Sequence, residues 1–368
     1  MHPSSAARSS RRLTSTAKTG HTMLSTNSSG IFPLHVMGAG SIGLLYAARI
    51  QEIYERTSPF ANNNEPPVTL LMRPHHRSYL ECHDSHSSTN GRCQRFASSR
   101  DNYIKRQQKE EMQHSTNDAC AALASIWDRL YDASSESPSR IIILSNGALG
   151  IKDSILKSTL AHNVDIIYAS TTHGAYKDYG GADTYCIHHA GEGSTHCTER
   201  AFVGICQEIG WKSYALSEFE MNVMLWKKLA ANCVINPLTA IHGVKNGEVL
   251  GLQHGGQTIR HTMTCLLEEV SQVALKEVES IHSQSSSNNG GLIQAAREEL
   301  SVASLQVFVD KVISDTANNI SSMLQDVKAK RETEIQFLNG YVSRVGREKY
   351  DIDCPQNSSL CSAVEALS

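Results

Sequence analysis

Residues 226–241 read W-K-K-L-A-A-N-C-V-I-N-P-L-T-A-I and place Lys228, Asn232 and Asn236 at a regular four-residue step. Residues four apart share one face of an α-helix, so these side chains should form a polar stripe on an otherwise apolar helix. Burying such a stripe is costly unless it is hydrogen-bonded. A surface lysine beside two backbone-bonded asparagines is the plainer interpretation, but the regular spacing favours a functional stripe. Pro237 should kink or end the helix.

A second informative stretch, residues 33–50, passes from a short apolar run through a glycine turn into a helix-forming run. This is the context that the dinucleotide-binding fingerprint requires. The first glycine allows a tight turn, the second lets a pyrophosphate approach and the third lets the helix pack closely. The helix N-terminus favours the phosphate charge. The predicted nucleotide-binding turn consists of Gly38, Ala39, Gly40, Ser41, Ile42 and Gly43.

Arg73 closes the next apolar run, V-T-L-L-M-R at residues 68–73. In dinucleotide-binding domains an acidic residue at the end of the second strand binds the ribose 2′-hydroxyl of NAD. An arginine offers instead a fork of donors that suits a 2′-phosphate. We therefore expect NADP as the cofactor. The alternative is an ordinary surface arginine.

The hydrophobic pattern changes from strands to helices along the chain, whose 368 residues allow two domains. We predict an α/β fold, with a Rossmann-type dinucleotide-binding domain at residues 31–216 and an all-helical substrate domain at residues 217–368. The expected strands are Leu34–Met37, Val68–Met72, Ile141–Leu144, Asp165–Ala169 and Thr184–His188. The expected helices include Met263–Val278, Ala303–Asn318 and Glu332–Val345.

Composition and charge argue against several classes of partner. A net charge of −3 and a pI near 6.6 give no electrostatic case for nucleic acid. The long uncharged stretch at residues 19–48 contains the glycine turn and Pro33, so we do not expect it to span a membrane. The ten cysteines and 17 histidines show no spacing typical of a metal site, and we expect no metal.

In its motifs and their order the chain resembles the ketopantoate reductase (2-dehydropantoate 2-reductase) family. The motifs are the glycine turn, N-G-A-L-G at 146–150, T-T-H-G-A at 171–175, the Trp226 stretch, and S-S-M-L-Q-D-V-K-A-K-R-E-T-E-I-Q-F-L-N-G at 321–340. The resemblance implies that NADPH reduces ketopantoate, a small 2-keto acid, to (R)-pantoate on the route to pantothenate and coenzyme A.

The resemblance also implies roles for individual residues. The catalytic lysine of the family falls on Lys228, whereas Lys227 faces elsewhere on the helix. The residues that hold the substrate correspond to Asn232, Asn236, Asn246 and Ser322. The residues at the cofactor correspond to Asn146 beside the nicotinamide ribose, Ala175 in the flanking loop, and Glu334, which contacts cofactor and substrate.

These roles suit the chemistry of a ketone reduction. Hydride addition leaves negative charge on the oxygen, and a lysine can supply a proton or a cation there, better if burial lowers its pKa. Amide donors stabilise the same charge. Glu334 would raise the pKa of Lys228 and oppose burial, and the sequence leaves this balance open. Ser322 has an alternative role as a helix cap, because S-M-L-Q has the form of a capping box.

Residues 83–116 depart from the family pattern. They are polar and cannot fill the buried parallel strand expected between Leu80 and Ser139, so we interpret them as an insertion. Loss of that strand would damage the cofactor site. A non-catalytic nucleotide-binding relative therefore stays open as an alternative function. A reductase of another branched 2-keto acid is a further alternative within the enzyme class.

Residues 1–30 form a separate segment that is rich in Ser and Thr, carries Arg8, Arg11, Arg12 and Lys18, and lacks acidic residues. This composition is typical of a mitochondrial transit peptide. A disordered tail of a cytoplasmic protein is the close alternative. The sequence leaves the oligomeric state open, with a homodimer among the options.

The interpretation of Arg73 predicts a cofactor preference. NADPH should bind more tightly than NADH, and Arg73→Ala should weaken NADPH binding by about 1.5–3 kcal/mol through the lost charge-assisted contact. Fluorescence titration of wild type and variant with both cofactors measures this. Equal affinities in the wild type, or an equal loss for both cofactors in the variant, would remove Arg73 from the site.

Overall fold

The computed structural model describes residues 34–37, 42, 45–46, 49–50, 68–71, 139–157, 164–179, 185–254, 256–284 and 290–367. Elements are numbered here in chain order over these residues. Several predicted features lie outside them: the glycine turn apart from Ile42, Arg73, the polar segment 83–116, and residues 1–30.

Within the described ranges, eight short strands precede the helical part of the chain. They are β1 (Leu34–Met37), β2 (Val68–Leu71), β3 (Ser139–Ile143), β4 (Val164–Thr171), β5 (Gly174–Tyr179), β6 (Tyr185–Gly191), β7 (Ser194–Cys197) and β8 (Lys212–Ala215). β1 and β2 pair in parallel, and β5 and β6 form an antiparallel hairpin. β3, β4, β7 and β8 form a four-stranded sheet in that order.

Helices connect the parallel neighbours of the four-stranded sheet. β3 and β4 are parallel, and α1 (Ala148–Lys157) lies between them in the chain. β7 and β8 are also parallel, and α2 (Arg200–Glu208) lies between them. A parallel pair needs such a crossover, because a hairpin reverses the strand direction. These βαβ units, with one antiparallel pair between β4 and β7, agree with the predicted α/β fold.

The predicted strands lie within a few residues of the observed ones. β4 shows why: Ile167 and Ala169 are buried and Asp165 is exposed, so the apolar alternation of the sequence reports the buried face. The strands β5, β7 and β8 were not expected. β8 has the sequence K-S-Y-A and buries Ser213 alone, which leaves no apolar pattern to detect.

From residue 218 onward the chain is helical, as predicted, apart from a short two-stranded ribbon of β9 (Gln253–His254) and β10 (Gln257–Thr258). The helices are α3 (Glu218–His242), α4 (Ile259–Gln284), α5 (Gly290–Glu299), α6 (Val302–Asp315), α7 (Ser322–Lys328), α8 (Asn339–Tyr350) and α9 (Pro355–Glu365). Two 3₁₀ turns cover Asn246–Gly251 and Ile335–Phe337. Over the described ranges, every helix is too short or too polar to cross a membrane.

Helix α3 forms the centre of the helical part. A capping box between Ser217 and Glu220 starts it, and Gly243 ends it in the left-handed conformation at φ 69°. Trp226 and Leu238 are almost fully buried, and α4, α6 and α7 pack around the helix. A helix that is apolar on nearly all sides must be covered by neighbours, and this burial gives its polar residues a fixed, dry environment.

Pro237 lies inside α3 and does not end it, which corrects one of the two expected outcomes. The helix continues for five more residues to His242. Proline lacks the N–H that would bond the carbonyl four residues earlier, that of Cys233. The side chain of Asn339 supplies the missing donor, with Nδ2 at 2.9 Å from the Cys233 oxygen.

The expected helix over Glu332–Val345 is interrupted, so that prediction was wrong in its first half. Glu334 precedes the 3₁₀ turn Ile335–Phe337, and α8 begins only at Asn339 after Leu338, whose φ and ψ are −106° and −98°. The helix-forming residues of this segment are overridden by tertiary contacts. The non-helical backbone at Glu334 lets its carboxylate meet donors from three other segments.

Candidate active site

A small cleft separates the turn after β3 from helix α3. The turn lines it with residues 145–149, and α3 lines it with Leu225, Lys228, Leu229 and Asn232. Lys228 and Asn232 are about one helical turn apart, so both polar groups lie on the same wall between leucines. The cleft thus brings the N-G-A-L-G motif to the first part of the polar stripe.

Two glycines let the turn after β3 approach the 3₁₀ segment. Gly147 has φ 66°, and a Cβ there would lie 2.9 Å from the carbonyl oxygen of Phe337. A Cβ on Gly150 would lie 2.9 Å from the same oxygen. Glycine is therefore required at Gly147 both by its backbone conformation and by the lack of space. The close approach places Asn146 beside Glu334.

One carboxylate oxygen, Oε1 of Glu334, accepts three hydrogen bonds. Asn146 Nδ2 donates at 3.3 Å from the turn after β3, and Asn236 Nδ2 donates at 3.3 Å from α3. Ser322 Oγ donates at 3.1 Å from the start of α7. The sequence assigned Asn146 and Glu334 to the cofactor and Asn236 and Ser322 to the substrate. The structure brings all four together.

The amine of Lys228 bonds the first residue of the T-T-H-G-A motif. Lys228 Nζ donates to the backbone carbonyl of Thr171, the last residue of β4, over 3.4 Å. A single neutral carbonyl replaces little of the hydration that an ammonium has in water. Burial accordingly lowers the pKa of Lys228, although the negative charge of Glu334 acts in the opposite direction.

The pKa of Glu334 shifts upward, also because of burial. Desolvation raises the pKa of its carboxyl above the ordinary value of 4.5, against the hydrogen bonds from Ser322 and Asn146 and the charge of Lys228, which lower it. Since burial dominates for both groups, each is pushed toward its neutral form. The question that the sequence left open is thus decided by desolvation, and the charge of Glu334 is the smaller effect on Lys228.

Lys227 is placed away from the cleft. Its amine lies 2.7 Å from Glu299 Oε2 on α5 and 5.3 Å from the ring centre of Phe308 on α6. Adjacent residues on a helix point about 100° apart, which separates the two lysines although they are neighbours in sequence. Lys227 is therefore a structural surface cation, and it serves as a matched control for Lys228.

The structure also gives different roles to the two adjacent serines, Ser321 and Ser322. Ser321 caps α7, with its side chain accepting from the Leu324 amide at 3.1 Å, and it bonds Thr239 of α3 at 2.6 Å between the two hydroxyl oxygens. Ser322 is the first helical residue and bonds Glu334. The capping role considered for Ser322 belongs to its neighbour, and the hydroxyl of Ser322 remains directed at the site.

Asn246 is buried at the start of a 3₁₀ turn, and the hydrogen bonds described for it go to residues other than the remaining candidates. Its Nδ2 donates to Thr316 Oγ1 at 2.9 Å, and its backbone N–H donates to the Asn319 carbonyl at 3.1 Å. Within the described residues its buried Oδ1 has no partner. The structure therefore ties Asn246 to the end of α6, whereas Glu334 accepts from the amides of Asn146 and Asn236.

Ala175 and Ile42 lie on the sheet side of the molecule. Ala175 is the second residue of β5 and pairs with His189 across the hairpin. Both Ala175 and Ile42 are partly buried against the apolar cluster that contains Trp211. The other residues of the predicted nucleotide turn, and Arg73, lie outside the described ranges.

Sequence reasoning missed two contributors to the site. The Thr171 carbonyl is a backbone group, and only its position at the head of the T-T-H-G-A motif pointed to it. The bond between Thr239 and Ser321 joins residues 82 positions apart, and no local pattern predicts such a pair. Thr239 follows Asn236 by three residues on α3, so this bond anchors α7 and Ser322 beside the stripe.

Comparison with known proteins agrees with the resemblance carried by the motifs. The family model described as the C terminal of ketopantoate reductase PanE/ApbA matches residues 220–368. A 2-dehydropantoate 2-reductase of Vibrio cholerae is 34% identical over 233 residues, which is 62% of this chain and 68% of that protein. For the next relatives of the same description, the chain spans about half of their length, from 43% to 57%.

Solved structures share the fold at low sequence identity. A PanE/ApbA family ketopantoate reductase from Ralstonia eutropha JMP134 has a TM-score of 0.61 at 19% identity, over 91% of this chain and 98% of that one. A D-mandelate dehydrogenase in complex with NADH has a TM-score of 0.57 at 18% identity, over 90% and 97%. These two likenesses establish the two-part architecture and nothing about specificity.

The packing around Gly147 predicts a sharp difference between two glycines. Gly147→Ala should destabilise the protein by about 1–3 kcal/mol, because its φ is positive and its Cβ would press on Phe337. Gly204→Ala is the control: this position in α2 has open space around it, and alanine there should stabilise by about 0.5–1 kcal/mol. Denaturant unfolding measures both. Equal stability of the two variants would show that the turn does not pack as described.

Proposed function

Because the chain belongs to the ketopantoate reductase family, we propose that it reduces the 2-keto group of 2-dehydropantoate to the hydroxyl of (R)-pantoate with NADPH. The observation that carries the proposal is the position of Lys228. Its amine lies on the wall of a cleft, with a pKa lowered by burial, beside Asn232 and opposite Asn146. A proton donor with a depressed pKa, flanked by fixed amides, is the arrangement that a developing alkoxide needs.

The residues around the cleft divide the work of the reaction. The cofactor, when bound, supplies a hydride to the carbonyl carbon, and the carbonyl electron pair moves to the oxygen. Lys228 donates its proton to that oxygen and becomes a neutral amine, which solvent reprotonates after product release. Asn232, one turn along α3, is placed to donate a hydrogen bond to the same oxygen. The leucines of the wall exclude water and strengthen these interactions.

Glu334 orients the donors that meet the substrate. Its Oε1 holds Asn146, Asn236 and Ser322 at 3.1 to 3.3 Å. Each of these groups has an N–H or O–H that a carboxylate or hydroxyl of the substrate could also use. The three donors therefore already converge on a carboxylate oxygen, that of Glu334. This complementarity favours a substrate that carries a carboxylate next to its ketone.

The lining of the cleft offers the chemistry that the nicotinamide end of a dinucleotide needs. Asn146 offers an amide at its rim, and Leu149 and Leu225 offer apolar surface for a flat ring. The choice of NADP over NAD rests on Arg73 and on the family. The D-mandelate dehydrogenase with the same fold is in complex with NADH, which gives a specific reason to compare both cofactors and to include other branched 2-keto acids in the substrate panel.

The central prediction concerns the two adjacent lysines. Lys228→Ala should lower turnover of 2-dehydropantoate by about 10²–10⁴-fold, the range for losing a positioned acid. Lys227→Ala removes the same charge one residue away and should stay within a few-fold of wild type, because the amine of Lys227 bonds Glu299 outside the cleft. Loss of NADPH absorbance measures both rates, and fluorescence titration should show that both variants still bind NADPH.

Two results would contradict this assignment. Near wild-type turnover in both variants would place the acid elsewhere. Failure of the wild-type protein to consume NADPH with 2-dehydropantoate, when it binds NADPH and reduces another branched 2-keto acid, would transfer the proposal to that substrate. A protein that binds the cofactor but reduces no 2-keto acid in the panel would be a non-catalytic relative.

The lowered pKa of Lys228 predicts the direction of the pH dependence. The reaction needs the protonated amine, so kcat/KM should be high at lower pH and fall as the pH rises through the pKa of Lys228. Because burial lowers that pKa, the fall should occur below the ordinary lysine value of 10.5. In Lys228→Arg the cation persists at all accessible pH values, so this basic limb should vanish. An unchanged limb in the arginine variant would assign it to another group.

A further inference from the structure

The carbonyl of Cys233 is a buried acceptor that helix α3 cannot satisfy by itself. In a regular helix it would bond the N–H of residue 237, but Pro237 has none. Cys233 is fully buried, so water cannot replace the missing donor. Cys233 lies between Asn232 and Asn236 in sequence, in the part of the helix that carries the substrate side of the stripe. A donor from outside the helix can take the place of the missing N–H.

Asn339 supplies that donor, and its orientation is fixed by its partners. Its Nδ2 lies 2.9 Å from the Cys233 oxygen and 2.9 Å from Asn357 Oδ1, so both N–H groups are used. Turning the amide over would set its oxygen against two acceptors. Within the described residues, the buried Oδ1 of Asn339 has no partner. The amide of Asn339 thus uses both of its N–H groups, while its oxygen stays without a partner among the described residues.

The direction of this chain of hydrogen bonds is set by a buried carboxylate. Glu269 on α4 accepts from Asn357 Nδ2 at 2.7 Å and from the backbone N–H groups of Gln356 and Asn357 at 2.8 and 3.0 Å. These N–H groups belong to the first turn of α9, where a negative charge is favoured. An ionised carboxylate only accepts, so Asn357 must turn its Nδ2 to Glu269 and its oxygen to Asn339.

The same two segments that this bond joins also meet at the site. Cys233 precedes Asn236 by three residues on α3, and Glu334 precedes Asn339 by five residues in the chain. Asn236 Nδ2 bonds Glu334 Oε1 at 3.3 Å, and Asn339 Nδ2 bonds the Cys233 oxygen at 2.9 Å. Two crossed contacts between two short segments fix their relative position, and the contact at Asn339 is the shorter and the more deeply buried one.

We propose that Asn339 is a positioning residue for the reduction: through the Cys233 carbonyl that Pro237 leaves free, it holds Asn232 and Asn236 in register with Glu334. The inference rests on the proposed function for its kinetic consequence. Asn339 touches neither the cleft nor the carboxylate, so its effect must pass through the backbone of α3. Without it the buried carbonyl loses this donor, and we expect α3 to bend or shift where its amides face the substrate.

Pro237 makes this mechanism testable, because Pro237→Ala returns the helical N–H to the Cys233 carbonyl. Asn339→Ala alone should lower kcat/KM by about 10- to 100-fold, the effect of an unpaired buried acceptor. KM for the keto acid should rise, and the affinity for NADPH should change by less than about 2-fold. The double variant Pro237→Ala/Asn339→Ala should recover to within about 3-fold of Pro237→Ala alone.

Ser271→Ala is the matched control. It removes a buried hydrogen bond of the same kind, from Ser271 Oγ to the Leu300 carbonyl at 2.6 Å, which involves none of the residues of the polar stripe. This variant should lower the melting temperature while KM for the keto acid stays unchanged. An effect of Asn339→Ala confined to the melting temperature, like that of Ser271→Ala, would overturn the positioning role. A kinetic loss that Pro237→Ala does not rescue would overturn the route through Cys233.

Thermal unfolding of the four proteins in the Pro237 and Asn339 cycle gives a result independent of turnover. The loss of melting temperature caused by Asn339→Ala should be smaller in the Pro237→Ala background. Additive losses would overturn the inference even in an active enzyme. If the wild-type protein reduces no 2-keto acid but the losses are coupled, the proposed function fails and the hydrogen bond through Cys233 stands.

Discussion

A single carboxylate oxygen, Oε1 of Glu334, joins three segments of the chain that are far apart in sequence. The turn after β3, the middle of α3 and the start of α7 each contribute one uncharged donor to it. A buried carboxylate needs such donors, and the donors need an acceptor once water is removed. The cleft exists in its present form because these requirements are met at one point. The sheet and the helical part are joined at that point.

Glu334 and Lys228 share this site as opposite charges that are both desolvated. Burial moves the pKa of each toward neutrality, and their attraction only partly offsets that shift. For a proton donor this is useful, since an amine with an ordinary lysine pKa would release its proton reluctantly. The amine of Lys228 bonds a neutral carbonyl, that of Thr171. A close ion pair would raise the pKa of Lys228, whereas this neutral partner leaves it low.

The rigid scaffold for these groups comes from the core around α3. This helix carries a proline in its interior and stays helical, because a side chain from another segment replaces the missing backbone donor. The consequence is that the active-site helix is not an independent unit. Its register depends on Asn339, and through Asn357 on the buried Glu269 of α4, which accepts hydrogen bonds from the start of α9. Three residues that do not line the cleft thereby affect its geometry.

The sequence by itself determined the change from a mixed α/β part to a helical part, the polar stripe of Lys228, Asn232 and Asn236, and the family, because these depend on local periodicity and on motifs. It did not reveal the strands β5, β7 and β8. It misjudged the segment at Glu334, where helix-forming residues adopt a 3₁₀ turn. Only the tertiary structure decided that Glu334 would gather Asn146, Asn236 and Ser322, that burial would outweigh charge at Lys228, and that Ser321 rather than Ser322 caps α7. Each of these depends on partners that are remote along the chain and on the removal of water. A local sequence pattern contains information about neither the remote partners nor the burial.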